Sequence, residues 1–389
     1  MLAHFLRKAV DDGLQPRAGR TAVPMVPVGD DHLAAAKAWL VRSIEACDGV
    51  ASSKGYRFMK GWMPAYPETS GYIIPTLLSL AREDGEAGLG ETAHRIGAWL
   101  TSIQREDGGF AGYELGARTE PDVFDTGMIL LGLNALIHGG DADTFTAAAD
   151  AAAGFLARSM DEDGCFVRHM SHDMIHAYNV RSAWGLMAFG KLAGNEAYVS
   201  RAADCAKWTI SRQNEQGFYL DNAFKPGGNA NSHGTAYVMR GLLQIHLLSG
   251  DPACLASVRR AADAVCRHYE DNGRVAAELG PHWQPLASHI CLTGYAQLAI
   301  VLYRLGAITG EATYRAMADR LLADVAARQT LGEDGPWHGG IPGSFPIWGR
   351  YAPLQYPNWA TKFFIDALLV QKSVAAGQAS WRDVDLYAG

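Results

Sequence analysis

Two carboxylates, two histidines and a tyrosine stand where apolar helical segments begin, and these are residue types that move protons. Glu68 lies in Tyr66-Pro67-Glu68-Thr69-Ser70-Gly71-Tyr72, and Asp125 in Glu120-Pro121-Asp122-Val123-Phe124-Asp125-Thr126-Gly127. Carboxyls facing one lumen from neighbouring helices would lie roughly 6–10 Å apart, a separation suited to acid and base work on a glycosidic bond. Asp122, directly after Pro121, reads as a helix cap. His176, Tyr178, Asn179 and Arg181 form the densest polar cluster at any of these starts. Asn179 and Arg181 suit a sugar carboxylate, and Tyr178 or His176 could take the proton acidified beside it, as elimination or epimerisation requires. His233, with Asn231 and Tyr237 close by, offers a second base. Each has a plainer alternative. A carboxylate at a helix start is stabilised by the helix dipole, and buried histidines commonly only satisfy their neighbours.

Further polar and aromatic residues at the same kind of position are candidates for binding substrate: Tyr66, His289, Tyr356, Asn358 and Lys362. The segment Trp337 to Tyr351 is too rich in glycine and aromatics for a helix and is expected to fold over a cavity mouth. There Trp337, His338 and Tyr351 would present rings and polar groups to a sugar. The alternative is a crossing of the chain that joins the first and last repeats. His233, His289 and Cys291 lack the tight spacing of metal ligands, so no metal site is expected. No phosphate loop or dinucleotide fingerprint occurs, so no cofactor is expected.

The elements that must position these residues come from a repeat. A polar residue followed by glycine ends a helix-like segment six times, at Asp48-Gly49, Asp107-Gly108, Asp163-Gly164, Gln216-Gly217, Asn272-Gly273 and Asp334-Gly335, at intervals of 53 to 62 residues. Glycine tolerates the left-handed backbone that closes a helix, so the recurrence has a physical cause. An amphipathic helix precedes each turn, near 31–47, 89–106, 141–160, 195–214, 251–271 and 310–330. A helix apolar nearly all round follows each, near 68–82, 121–138, 177–193, 232–249, 288–305 and 357–372. A helix apolar on every face must be buried on every face. Six half-exposed helices alternating with six buried ones predict an all-α fold, an (α/α)6 toroid, spanning 31–376 between an N-terminal extension (1–30) and a C-terminal tail (377–389). An open solenoid would expose and cap its ends, yet the last inner helix is as apolar as the central ones.

Composition agrees. The 389 residues are 48% hydrophobic and 19% charged, enough for a large core and too apolar for disorder. A net charge of −7 without a long basic run argues against nucleic acid as a partner. No run of about 18 apolar residues suggests a membrane span. Six cysteines without a C-x-x-C pair, and a start broken by charges, lead to the expectation of reduced thiols and a cytoplasmic protein.

The stretch Gln104 to Phe110 followed by Pro121 to Gly127 resembles the repeats of the terpenoid cyclase and protein prenyltransferase toroid superfamily. That likeness implies the toroid. Class II terpene cyclases carry an Asp-x-Asp-Asp acid motif in such a helix start, and Phe124 occupies the position of the protonating aspartate. Tyr66-Pro67-Glu68, the Ser232-His233 segment and Tyr356 to Phe364 resemble bacterial toroid proteins found with surface-polysaccharide assembly genes, which implies a glycan or glycan-lipid substrate. The expectation is therefore an enzyme acting on a uronate-bearing polysaccharide or its precursor by elimination, epimerisation or hydrolysis. An isoprenoid cyclase-like enzyme and a glycan-binding toroid are the alternatives.

Overall fold

The computed structural model describes residues 2–14, 28–332 and 334–378. After a short helix α1 (Leu2–Leu14) come α2 (Asp30–Glu45), α3 (Pro67–Asp84), α4 (Ala87–Ser102), α5 (Val123–Leu136), α6 (Ala142–Ser159), α7 (Val180–Ala193), α8 (Glu196–Ser211), α9 (Ser232–Ser249), α10 (Pro252–Asn272), α11 (Leu292–Thr309), α12 (Ala312–Ala326) and α13 (Asn358–Ala375). The odd-numbered members from α3 to α13 are the inner layer. Every residue of α5 is buried, as an all-round apolar sequence requires. The even-numbered helices bury one stripe only; in α4 this is Leu89, Ala93, Ile96, Gly97 and Leu100.

Each inner helix packs on the next, and α13 packs on both α3 and α2, so the ring is closed. Small residues bring the inner helices together. A Cβ on Gly71 would come within 2.5 Å of the Ile129 Cα on α5, and one on Gly132 within 2.3 Å of the Gly71 carbonyl oxygen on α3.

The repeated glycines have a second role beyond their positive φ. Gly108 abuts the backbone of α6 at Ala151, Gly164 that of α8 at Asp204, and Gly217 that of α10 at Arg260. A glutamine clasps two of these joints: Gln104 Nε2 donates to the carbonyls of Gly108 and Ala148, and Gln213 Nε2 to those of Gly217 and Ser257. The last joint repeats the device on the first outer helix. Gly339 abuts Ala35 of α2, and Gln329 Nε2 donates to Gly339 and His32. The glycine that makes this contact is Gly339, four residues beyond the expected Asp334-Gly335 turn.

Short strands tie the loops at the end where the inner helices begin. β1 (Gly55–Arg57) pairs with β2 (Gly61–Trp62) and, across the seam, with the final strand (Gln355–Pro357), placing Tyr56 opposite Tyr356. Helix α1 packs on this seam. His4 stacks on Trp337 at 4.0 Å and its Nε2 bonds the Tyr356 hydroxyl at 2.9 Å; Phe5 is buried with Tyr56, Trp337 and Ile347. The N-terminal extension therefore contributes a docked helix; residues 15–27 and the tail beyond Gln378 lie outside the described residues. The stretch Val123–Ser159 is long and apolar enough to cross a membrane by composition alone. It is two helices that reverse at Gly140 (φ 114°) and belong to the core of the ring.

Candidate active site

The starts of α3, α5, α9 and α13, the turn before α7, and the loops above them form a partly open cavity of about 240 Å³, lined by Tyr66, Glu68, Tyr72, Tyr113, Phe124, Asp125, Ser171, His172, Tyr178, Phe224, His233, Tyr237, Tyr351 and Trp359. Pockets for drug-sized ligands run from about 300 Å³ upward, so this one has room for a single ring inside it. Aromatic faces make most of the wall. Phe124 meets Tyr178 edge-on at 5.2 Å, and Phe224 closes on Tyr178 at 5.4 Å and on His233 at 5.7 Å.

Glu68 and Asp125 enter from adjacent helices, α3 and α5, and both are buried. Asp122 is the N-cap of α5: its carboxylate accepts from the N–H groups of Phe124 and Asp125 and from the Ser171 hydroxyl at 2.6 Å. That fixed acceptor places negative charge beside the pair. Burial, then the charge of Asp122 and then that of Glu68, hold the Asp125 carboxyl well above its ordinary range. Burial pushes Glu68 up to about 7; the hydroxyl of Tyr66 opposes this by hydrogen bonding the carboxylate, and Asp122 adds to it. The Tyr113 N–H donates to Asp125 Oδ1 at 3.1 Å and fixes its orientation. Both carboxyls are thus held above the usual carboxylate range, and the charge of either one disfavours ionisation of the other.

Seven residues expected from the sequence meet in this cavity: Glu68, Asp125, His233, Tyr178, Tyr66, Tyr237 and Tyr351. The others stand elsewhere, each for a visible reason. His176 lies behind the wall, stacked on Tyr178 at 4.5 Å, with Nδ1 2.9 Å from the Ala223 carbonyl and Nε2 2.9 Å from the Ser171 carbonyl. It packs between two loops; burial holds the ring below its ordinary titration range, so the neutral imidazole donates to one of these two carbonyls. Asn179 is buried in the turn before α7. Arg181 lies below the floor, its guanidinium 4.8 Å from the Tyr237 ring and its Nε donating to Met128 Sδ at 3.0 Å, so aromatic rings separate it from a ligand. Asn231 caps α9 through the His233 N–H. His289 packs against Gly349. Trp337 and Tyr356 belong to the seam under α1, and His338 is held there by Arg42, which donates to its carbonyl. Asn358 joins the first and last hairpins through Ser52, Ser53 and Thr69. Lys362 forms a fully buried ion pair with Asp366 at 2.5 Å. The segment Trp337 to Tyr351 accordingly plays both expected parts: its start closes the ring, and its end reaches the cavity through Tyr351.

Tyr72, Tyr113, Phe124, Ser171, His172 and Phe224 line the cavity as well, and the sequence pattern gives none of them a site role. Tyr72 and Phe124 sit one helical turn or less from Glu68 and Asp125, which is the signal that was there to find. Tyr113, His172 and Phe224 come from loops whose course no periodicity reveals. Among the described residues, no group of three or more His, Cys, Asp or Glu side chains is placed to hold a metal ion, and all six cysteines are free thiols.

No family model matches the sequence, and no curated protein matches it. Solved structures match the fold. An unsaturated glucuronyl hydrolase from Bacillus sp. GL1, described as responsible for glycosaminoglycan degradation, superimposes with a TM-score of 0.72 at 15% identity, over 92% of this chain and 99% of that one. A cellobiose 2-epimerase from Bacillus thermoamylovorans gives 0.71 at 8% identity, over 88% and 98%. A D-mannose isomerase gives 0.70 at 12% identity, over 91% and 100%. What this chain shares with all three over nearly its whole length is the architecture, a closed (α/α)6 toroid.

Proposed function

We propose that the chain is a carbohydrate-active enzyme that hydrolyses a glycosidic bond next to a uronate or related sugar residue, with Asp125 as general acid and Glu68 as general base. The observation that carries this is the placement of two buried carboxyls on adjacent helix starts, facing one aromatic cavity, both held above the usual carboxylate range. Asp125 would give its proton to the leaving oxygen, and Glu68 would take one from the attacking water. Three proteins of the same architecture are named for work on sugars, one of them on glucuronyl groups, which supports the substrate class. The lining supports it as well. Burial keeps the phenols of Tyr178, Tyr237 and Tyr351 protonated, so they stand as hydrogen-bond donors for a carboxylate, while the Tyr66 hydroxyl is engaged by Glu68. The guanidinium of Arg181 beneath Tyr237 makes the floor more favourable to an anion. The greasy lining that an isoprenoid would need is interrupted by these hydroxyls and by both carboxyls.

The test is a panel of oligosaccharides ending in uronates, unsaturated uronates or neutral sugars, followed by reducing-end release. Turnover confined to uronate-bearing members and absent in Asp125→Asn is the expected result. Release of an unsaturated product from saturated substrates would mean elimination. Turnover that survives in Asp125→Asn would remove the proposed acid.

A further inference from the structure

We infer that His233 is held as a neutral imidazole with its one proton on Nε2, so that it serves the cavity as a hydrogen-bond donor and not as the base its position in the sequence suggested. The argument begins one layer below the cavity, at Gln297 on α11. Its Oε1 lies 3.1 Å from Arg240 NH1 and 3.4 Å from Arg181 NH1. Guanidinium groups only donate, so the oxygen of this amide must face them; turned over, its NH2 would meet two cations. That orientation puts Gln297 Nε2 against His233 Nδ1, at 2.6 Å. An amide nitrogen also only donates. Nδ1 must therefore present a lone pair, and the proton of the neutral ring belongs on Nε2.

The surroundings keep the ring in that state. His233 and Gln297 are buried. Burial first, then Arg181 from α7 and Arg240 on its own helix, hold the imidazole well below its ordinary titration range. The other ionisable groups beside it are phenols: Tyr237 at 4.2 Å between rings and Tyr351 at 5.4 Å. Burial keeps both protonated, so neither supplies a negative charge. A second proton would have to sit on Nδ1, pointing at an NH2 group, in a site already facing two guanidiniums.

The consequence concerns recognition. With Nδ1 engaged by Gln297, the Nε2 edge is the one His233 offers to the cavity it lines. It asks for an acceptor oxygen on the ligand, such as a hydroxyl, ring or carboxylate oxygen. Resting on the reading of the cavity as a sugar site, this assigns His233 to substrate binding and leaves proton transfer to the carboxyl pair. Gln297 is then a positioning residue that acts through His233.

Nitrogen NMR of the full chain labelled in its histidine side chains tests this directly, because protonated and lone-pair ring nitrogens resonate far apart. The His233 signals are identified by their loss in His233→Gln, or by their displacement in Gln297→Glu if the first variant does not fold. Between about pH 5 and 8, where an ordinary histidine changes charge, His233 is expected to keep one signal pattern with the proton on Nε2. Gln297→Glu replaces the donor with an acceptor and a negative charge, so it should move the proton to Nδ1 and bring the titration up into that window. A wild-type His233 that titrates there, or that carries its proton on Nδ1, overturns the inference. Added D-glucuronate should shift the Nε2 proton, and binding that leaves it unshifted would overturn the donor role. A complete lack of glucuronate binding with the tautomer as assigned would count against the proposed substrate and leave the tautomer standing.

Discussion

Replacing Glu68 with glutamine should make the protein more stable as it makes it inactive, and the gain should depend on pH. The carboxyl is raised from its ordinary 4.5 to about 7, chiefly by burial. Below 4.5 both the folded and the unfolded chain hold this proton. Between 4.5 and 7 the unfolded chain releases it while the folded one keeps it, so the native state binds more protons and loses stability as pH rises. Above 7 the full penalty is in place. The distance from 4.5 to about 7, at ~1.4 kcal/mol for each pH unit, is on the order of 3 kcal/mol. Glutamine has the shape of the protonated acid and no charge. Glu68→Gln should therefore match the wild type at about pH 4 and exceed it by on the order of 3 kcal/mol at about pH 8. Urea unfolding of both proteins across that range gives the difference directly, and turnover on the best glycan of the panel gives the activity. A variant less stable than the wild type at the higher pH, or a difference that does not change with pH, would refute the burial argument. A variant that is stabilised and still turns over substrate would remove Glu68 from the chemistry.

Three further perturbations probe other parts of the design. Asp125→Asn copies a carboxyl that is already protonated, so its melting temperature should stay near that of the wild type at neutral pH while turnover falls at least ~100-fold, the lower end of what a general acid contributes. His176→Phe keeps a ring against Tyr178 but removes the N–H that bonds the Ser171 or the Ala223 carbonyl; it should cost about 1–3 kcal/mol in urea unfolding and raise KM more than it lowers kcat. Phe5→Ala removes the anchor of α1 from the Tyr56, Trp337 and Tyr356 cluster and should cost roughly 3 kcal/mol or more, with α1 becoming the first site cut in limited proteolysis.

The ring was readable from the sequence because its cause is periodic. Glycines at φ near 80°, at 108, 164 and 217, recur for one reason, and an inner helix such as Val123–Leu136 has no polar face to show to water. The two carboxyls were readable because each stands near the start of such a helix, where a core role makes little sense. Arg181, Asn358 and Lys362 occupy equally apolar helices, and nothing in residue type separates a polar group that lines a cavity from one that braces the layer beneath it. Burial and partners decide. Lys362 pairs with Asp366 one turn along its own helix, while Ser52 and Thr69 reach Asn358, and Gln297 reaches Arg181, from other hairpins. The loop residues Tyr113, His172 and Phe224 reach the cavity through backbone turns, two of them with positive φ at non-glycine residues, which no hydrophobic pattern encodes.

The glutamine clasp has a topological consequence. In five of the six hairpins an inner helix leads through a short connection into the outer helix packed beside it. In the sixth, α13 packs on α2 in the same way, although the two lie at opposite ends of the chain order. Gln329 and Gly339 fasten this pair into the ring with the bonds that Gln104 and Gly108 use elsewhere. The wheel therefore has no privileged starting spoke. A circular permutant that links the end of α13 to the start of α2 and opens the chain at the turn between α7 and α8, around the left-handed Gly194, should assemble the same twelve-helix wheel around the same cavity.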